Sequence, residues 1–144
     1  MNKTEKALQE FKKGYNCAQS VLAAFASDFA IDETIAKRLA SGLGAGFGRL
    51  QNTCGAVTGA ILAIGAKYHD ESKITESKET TYLKTREFID EFTKMNTSIN
   101  CLNLLGVNIM TTDGMKKAKD NNLFVVKCEK YVADAVQLLE QVVL

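Results

Sequence analysis

Polar and apolar residues alternate along this chain with a helical period almost throughout. Ala7, Leu8 and Phe11 recur between charges from Asn2 to Lys13, which predicts a short amphipathic helix stopped by Gly14. Asn16 with Gln19 three residues on has the form of a capping box, opening a helix through Val21, Leu22, Phe25 and Phe29. Asp32 predicts a third cap, with Ile35, Ala36, Leu39 and Ala40 as the inward face. From Cys54 to Ala66 charge is absent, so the helix ending near Tyr68 or His69 is expected to be the most buried. Asp70 to Ser77 is polar and lacks a long apolar period, which predicts an exposed connection. Tyr82, Leu83, Phe88, Ile89 and Phe92 then mark an amphipathic helix over Glu79 to Met95.

Asn100 reads as the cap of a short apolar turn, Leu102 to Leu105, closed by Gly106. Asp113 is placed to cap a short helix ending at Asn121 and Asn122. Cys128, Val132, Ala135, Leu139 and Val142 step by four and three, one apolar seam along a final helix. With no proline, no long-period repeat and no low-complexity linker, the pattern predicts an all-α, single-domain helical bundle of about five to seven helices over residues 1–144.

Composition narrows the function. The 46% apolar content is enough for one core. The 18 basic and 17 acidic side chains leave a formal charge of +1, no general attraction to nucleic acid or acidic membranes. The apolar run of the central helix falls short of the roughly 20 residues a bilayer requires, so no membrane insertion is expected. The amino-terminal segment is charged and lacks the apolar stretch of a secretory signal, which places the protein in the cytoplasm. Its four cysteines are then reduced by default, and none forms a C-x-x-C pair.

The stretch Ser41 to His69 is where candidate chemistry concentrates. Gly42, Gly44, Gly46 and Gly48 recur every second residue, a pattern suited to positive φ or to close approach of another group. It is not a dinucleotide fingerprint, because no strand precedes it and Phe47 and Arg49 occupy the place of the third glycine. Gly55, Gly59 and Ala63 fall four apart on one helix face. That face suits another helix, a flat ligand or a second copy in a homodimer, and Gly44, Gly46, Gly55 and Gly59 are the candidate cofactor-binding positions.

Cys17, Cys54 and Cys101 each follow Asn or Thr at a predicted helix start, where the positive end of the helix dipole favours thiolate. Thr53 reads as the cap before Cys54, and Arg49 lies five residues upstream, so Cys54 is expected to be the most acidic thiol and the lead nucleophile. Two chemistries follow. Either two of the thiols cycle between dithiol and disulfide with a redox partner, or Cys17, Cys54, Cys101 and Cys128 ligate zinc or an iron–sulfur cluster. The bland alternative is a structural or interaction module in which buried cysteines are small hydrophobes. His69, the one histidine, reads as a partner of a helix carboxyl end, and no G-x-S-x-G elbow supports a hydrolase.

With Cys17, the glycine run, Cys54-Gly55-Ala56-Val57-Thr58-Gly59, Cys101 and Cys128 in this order, the chain resembles the family named for its four-cysteine pattern, C_GCAxxG_C_C. The resemblance runs from about Asn16 to the last helix. It departs at Ala45, where such proteins tend to carry a third successive glycine. The resemblance implies a small prokaryotic protein, often associated with transporter genes, with redox or metal chemistry at the four cysteines acting together. That activity is itself inferred from the cysteines, and the resemblance supplies no substrate.

Overall fold

Asn2, Asn16, Asp32, Asn100 and Thr111 each turn a side-chain oxygen onto a backbone N–H at a helix start, and these caps set the element boundaries in the computed structural model, which describes residues 1–143. Among the described residues there are eight α-helices and no strand. They are α1 Lys3–Lys12, α2 Cys17–Phe25, α3 Glu33–Ala40, α4 Gly55–Tyr68, α5 Ile74–Asn96, α6 Cys101–Leu105, α7 Thr112–Asp120 and α8 Glu129–Val143. A π-helical turn, Phe124–Cys128, leads into α8. The fold is all-α, and no helix among the described residues is long and apolar enough to cross a membrane.

Helix α2 is the hub, packing on α1, α3 and α4, while α8 closes the bundle against α1, α4 and α5. Seven of the nine residues of α2 are buried, against seven of the fourteen in α4, so α2 and not α4 is the most enclosed element. The reason is position: α4 is open at Leu62, which is 38% exposed, whereas α2 is covered on all sides.

Side-chain size decides several faces that periodicity alone misreads. On α3, Ala36 and Ala40 are fully buried, but Ile35 and Leu39 are 50% and 71% exposed, because the helix lays its small residues on α2. Helix α2 stops at Phe25, and Phe29 belongs to a following 3-10 turn, Ser27–Phe29. The expected connection from Asp70 to Ser77 is shorter: α5 begins at Ile74, and Ser77 is buried with its hydroxyl donating to Ile74 O. Thr111, rather than Asp113, caps α7.

Two apolar clusters result. The main one joins α1, α2, α4, α5 and α8 around Phe25, Ile64, Phe88, Phe92 and Leu139. A smaller one, centred on Leu105, Ile109 and Ala118, gathers Ala45, Met115, Phe124 and Cys128. The cysteines lie along the boundary: Cys17 and Cys54 belong to the main cluster and Cys128 to the smaller one.

Candidate functional site

The glycine run folds as one turn of left-handed helix. Ala45, Gly46, Phe47, Gly48 and Arg49 have φ of 52°, 65°, 69°, 59° and 71°. Each non-glycine residue in this region costs roughly 1–2 kcal/mol, a cost that Gly46 and Gly48 avoid. The turn is closed by the N–H groups of Gln51 and Asn52, which donate to Ala45 O at 3.0 Å and Gly46 O at 2.9 Å. Gly42 and Gly44 do not share the positive φ.

Beyond the turn, residues 52–54 run antiparallel to 99–101. Thr53 bridges Asn100, the Cys54 N–H donates to Ile99 O at 2.7 Å, and the Cys101 N–H donates to Asn52 O at 2.6 Å. Bridging residues alternate faces, so Cys54 and Cys101 leave the pair on the same side, opposite Thr53 and Asn100. Thr53 is therefore not the cap of α4. Cys54 itself holds that position, its carbonyl accepting from Val57 and Thr58, and Gly55 is the first helical residue. Cys17 and Cys101 do open α2 and α6, behind the caps Asn16 and Asn100.

The four glycines singled out for a cofactor face this chain's own atoms. A Cβ on Gly59 would stand 2.7 Å from Ala18 O, and one on Gly55 would stand 3.1 Å from Cys17 Cβ. A Cβ on Gly44 would stand 2.6 Å from the Asn16 side chain, and one on Gly46 would run into the backbone of Gln51 and Asn52. The small-residue stripe is thus the seam between α2 and α4, already filled, and it presents no face to a flat ligand or a second copy.

All four thiols are free, and Cys17 lies against the start of α4, where a Cβ on Gly55 would meet Cys17 Cβ. Their acidities reverse the expected order. Burial pushes the Cys54 thiol up to about 12, overriding the N–H groups of Ala56 and Val57 that favour its thiolate. The helix dipole is real, but desolvation is larger. Burial also raises Cys101, to about 11, and the neighbouring Cys128 adds to it, while a hydrogen bond from Gln51 works the other way.

Cys17 and Cys128 shift one another in opposite directions. The Cys128 side chain and then burial hold the proton on Cys17, raising its pKa well above the ordinary thiol value. The Cys17 side chain lowers Cys128 against the opposing effect of burial, and Lys127 lowers it further. The bias toward thiolate therefore falls on Cys128 rather than on Cys54. Arg49 is exposed, and the cation that favours a thiolate is Lys127, whose ammonium is anchored to Leu105 O at 3.1 Å.

Three residues outside the cysteine pattern hold this arrangement. Gln51 is 3% exposed, with its amide donating to Val107 O and accepting from the Ile109 N–H, both at 2.8 Å, so it pins the glycine turn to the segment after α6. Lys127 and Tyr131 bond the last carbonyls of α6, Tyr131 to Leu104 O at 2.8 Å. No periodicity marks them, since each acts across more than 20 residues of sequence. His69 lies outside the cluster, bonded to the exposed Glu71 at 2.9 Å. Among the described residues, no three Cys, His, Asp or Glu side chains are placed to hold one metal ion.

The family model described as "Putative redox-active protein (C_GCAxxG_C_C)" matches residues 15–142 of the chain. No curated protein and no solved structure matches it.

Proposed function

The chain belongs to this C_GCAxxG_C_C family, and on that premise we propose that it is a thiol–disulfide exchange protein whose working pair is Cys128 and Cys17. The observation that carries the reading is the opposed shift of these two thiols, Cys128 biased toward thiolate and Cys17 toward thiol. Exchange requires one nucleophile ready as thiolate and a second held in reserve.

The Cys128 thiolate attacks one sulfur of a partner disulfide. A bond forms between Cys128 Sγ and that sulfur, the partner's S–S bond breaks, and the first partner thiolate leaves with the electron pair. Cys128 is now a neutral mixed disulfide, so the negative charge that held the proton on Cys17 is gone. Cys17 gives that proton to solvent and attacks Cys128 Sγ. The mixed disulfide breaks, the Cys17–Cys128 bond forms, and the second partner thiolate leaves and is protonated. Two electrons have passed from the protein dithiol to the partner, which departs as two thiols. Cys54 and Cys101, both buried toward the neutral thiol, support the pair without carrying the attack.

The test treats reduced protein with hydroxyethyl disulfide and maps the products by mass spectrometry. One intramolecular disulfide, Cys17–Cys128, is expected. Cys17→Ser should stop the reaction at a mixed disulfide on Cys128, and Cys128→Ser should abolish both products. A disulfide between any other pair, or a mixed disulfide that forms first on Cys54, overturns the assignment.

A further inference from the structure

Helix α7 and the segment before it enclose an open groove of about 570 Å³, floored by Ile109, Met110 and Met115 and edged by Lys116, Lys119 and Asp120. Its inner wall is shared with the redox pair. Ile109 and Met115 belong to the same apolar cluster as Cys128, so the groove and the proposed nucleophile share that cluster. Met110 is 61% exposed. Flexible, polarizable methionines on a concave surface suit a partner whose apolar groups vary in shape.

Charge gives the occupant its sign. Lys116 and Lys119 edge the groove beside one carboxylate, Asp120, and among the described residues neither lysine has a carboxylate within ion-pair distance. An edge with more cationic than anionic groups draws anions and repels cations.

We propose that this groove receives an acidic, apolar segment of the protein that carries the partner disulfide. The inference rests on the exchange reading and names the chemistry of its partner. Clefts of this size hold short peptide segments, and acidic flanks would meet Lys116 and Lys119 as the disulfide reaches Cys128.

The experiment uses the reduced full-length protein and two synthetic disulfide-bridged peptides that share an apolar centre, one flanked by Glu and the other by Lys. Hydroxyethyl disulfide is the uncharged reference. The acidic peptide should oxidise the protein at least about tenfold faster than the basic one at low salt, an advantage that shrinks as salt is added. Lys116→Glu and Lys119→Glu should each remove most of that advantage. Lys117→Glu, on the same helix but off the groove, makes the same charge change and should keep most of it. All variants should react with hydroxyethyl disulfide at the rate of the unmodified protein. Equal rates with the two peptides, or an equal loss in Lys117→Glu, overturn the groove. A redox-inert acidic peptide with Ser for both Cys, titrated by calorimetry, separates the two readings. If it binds and Lys119→Glu weakens it, the groove stands even where the Cys17–Cys128 disulfide fails to form; if it does not bind, the groove falls while the exchange pair is unaffected.

Discussion

At the scale of single residues, acidity is decided by what surrounds each sulfur. Alkylation rates followed against pH, cysteine by cysteine, should show Cys128 reacting at the lowest pH and Cys54 last. Cys17→Ala should move the Cys128 profile upward, since it removes the side chain that lowers Cys128. Cys54 makes an alkaline prediction of definite sign. Its folded pKa of about 12 lies above the roughly 8.5 of an unfolded thiol, so its contribution to stability is full below that lower value and is lost as pH rises toward the upper one. Denaturation midpoints should therefore fall above about pH 8.5, and Cys54→Ala should flatten that fall. Neither result follows from the N-terminal position of Cys54, which argues for the opposite shift. The position was legible in the sequence; the burial was not.

At the scale of elements, the α2–α4 seam sets how far glycines can be replaced. A Cβ at Gly59 meets the carbonyl and Cα of Ala18, backbone that cannot swing aside, whereas one at Gly65 meets nothing within 4 Å. Gly59→Ala should cost about 1–3 kcal/mol through forced separation of the helices, despite the better helix propensity of alanine. Gly65→Ala should add up to about 1 kcal/mol, because propensity acts there alone. Chemical denaturation of both variants checks the contrast. The four-residue spacing of Gly55, Gly59 and Ala63 made close packing readable in advance. Which partner packs there was not readable, because a small-residue face is equally complementary to a helix of the same chain, a second copy or a flat ligand.

At the scale of the whole molecule, two devices tie distant parts together. Glu10, 1% exposed, meets Lys37 at 2.8 Å, Lys6 at 3.1 Å and Lys13 at 3.3 Å, and Lys6 and Lys37 also reach Glu33, so α1 is clamped to α3. Burial alone would raise the Glu10 pKa, but the ammonium groups of Lys37, Lys6 and Lys13 outweigh it and lower it to about 2. The sign is that of a depressed carboxylate: stability is full above the ordinary glutamate value of roughly 4.3 and is lost as pH falls from there toward about 2. Melting temperatures should decline across that window, and Glu10→Gln should flatten the acid decline while lowering stability at neutral pH by about 1–3 kcal/mol. The second device is the Cys17–Cys128 contact, which joins the main apolar cluster to the smaller one. Oxidation of that pair should slow amide hydrogen exchange in residues 105–124 relative to the reduced protein, and Cys17→Ser should show no such slowing after the same treatment.

The sequence by itself determined that this chain is helical, where most of its helices start, and which family its four cysteines mark. Caps such as Asn16 and Asn100 act on groups two or three residues away, and apolar periodicity and the C-G-A-x-x-G motif are equally local, so none of these needs the fold to be read. Tertiary structure alone decided how each thiol is buried, which faces of α3 and α4 are buried, and what holds the glycine turn in place. Those outcomes depend on desolvation and on contacts such as Gln51 with Ile109 and Lys127 with Leu105, made between residues far apart in the chain. A pattern with a period of three or four residues cannot encode them, because burial belongs to the assembled core and not to any one helix.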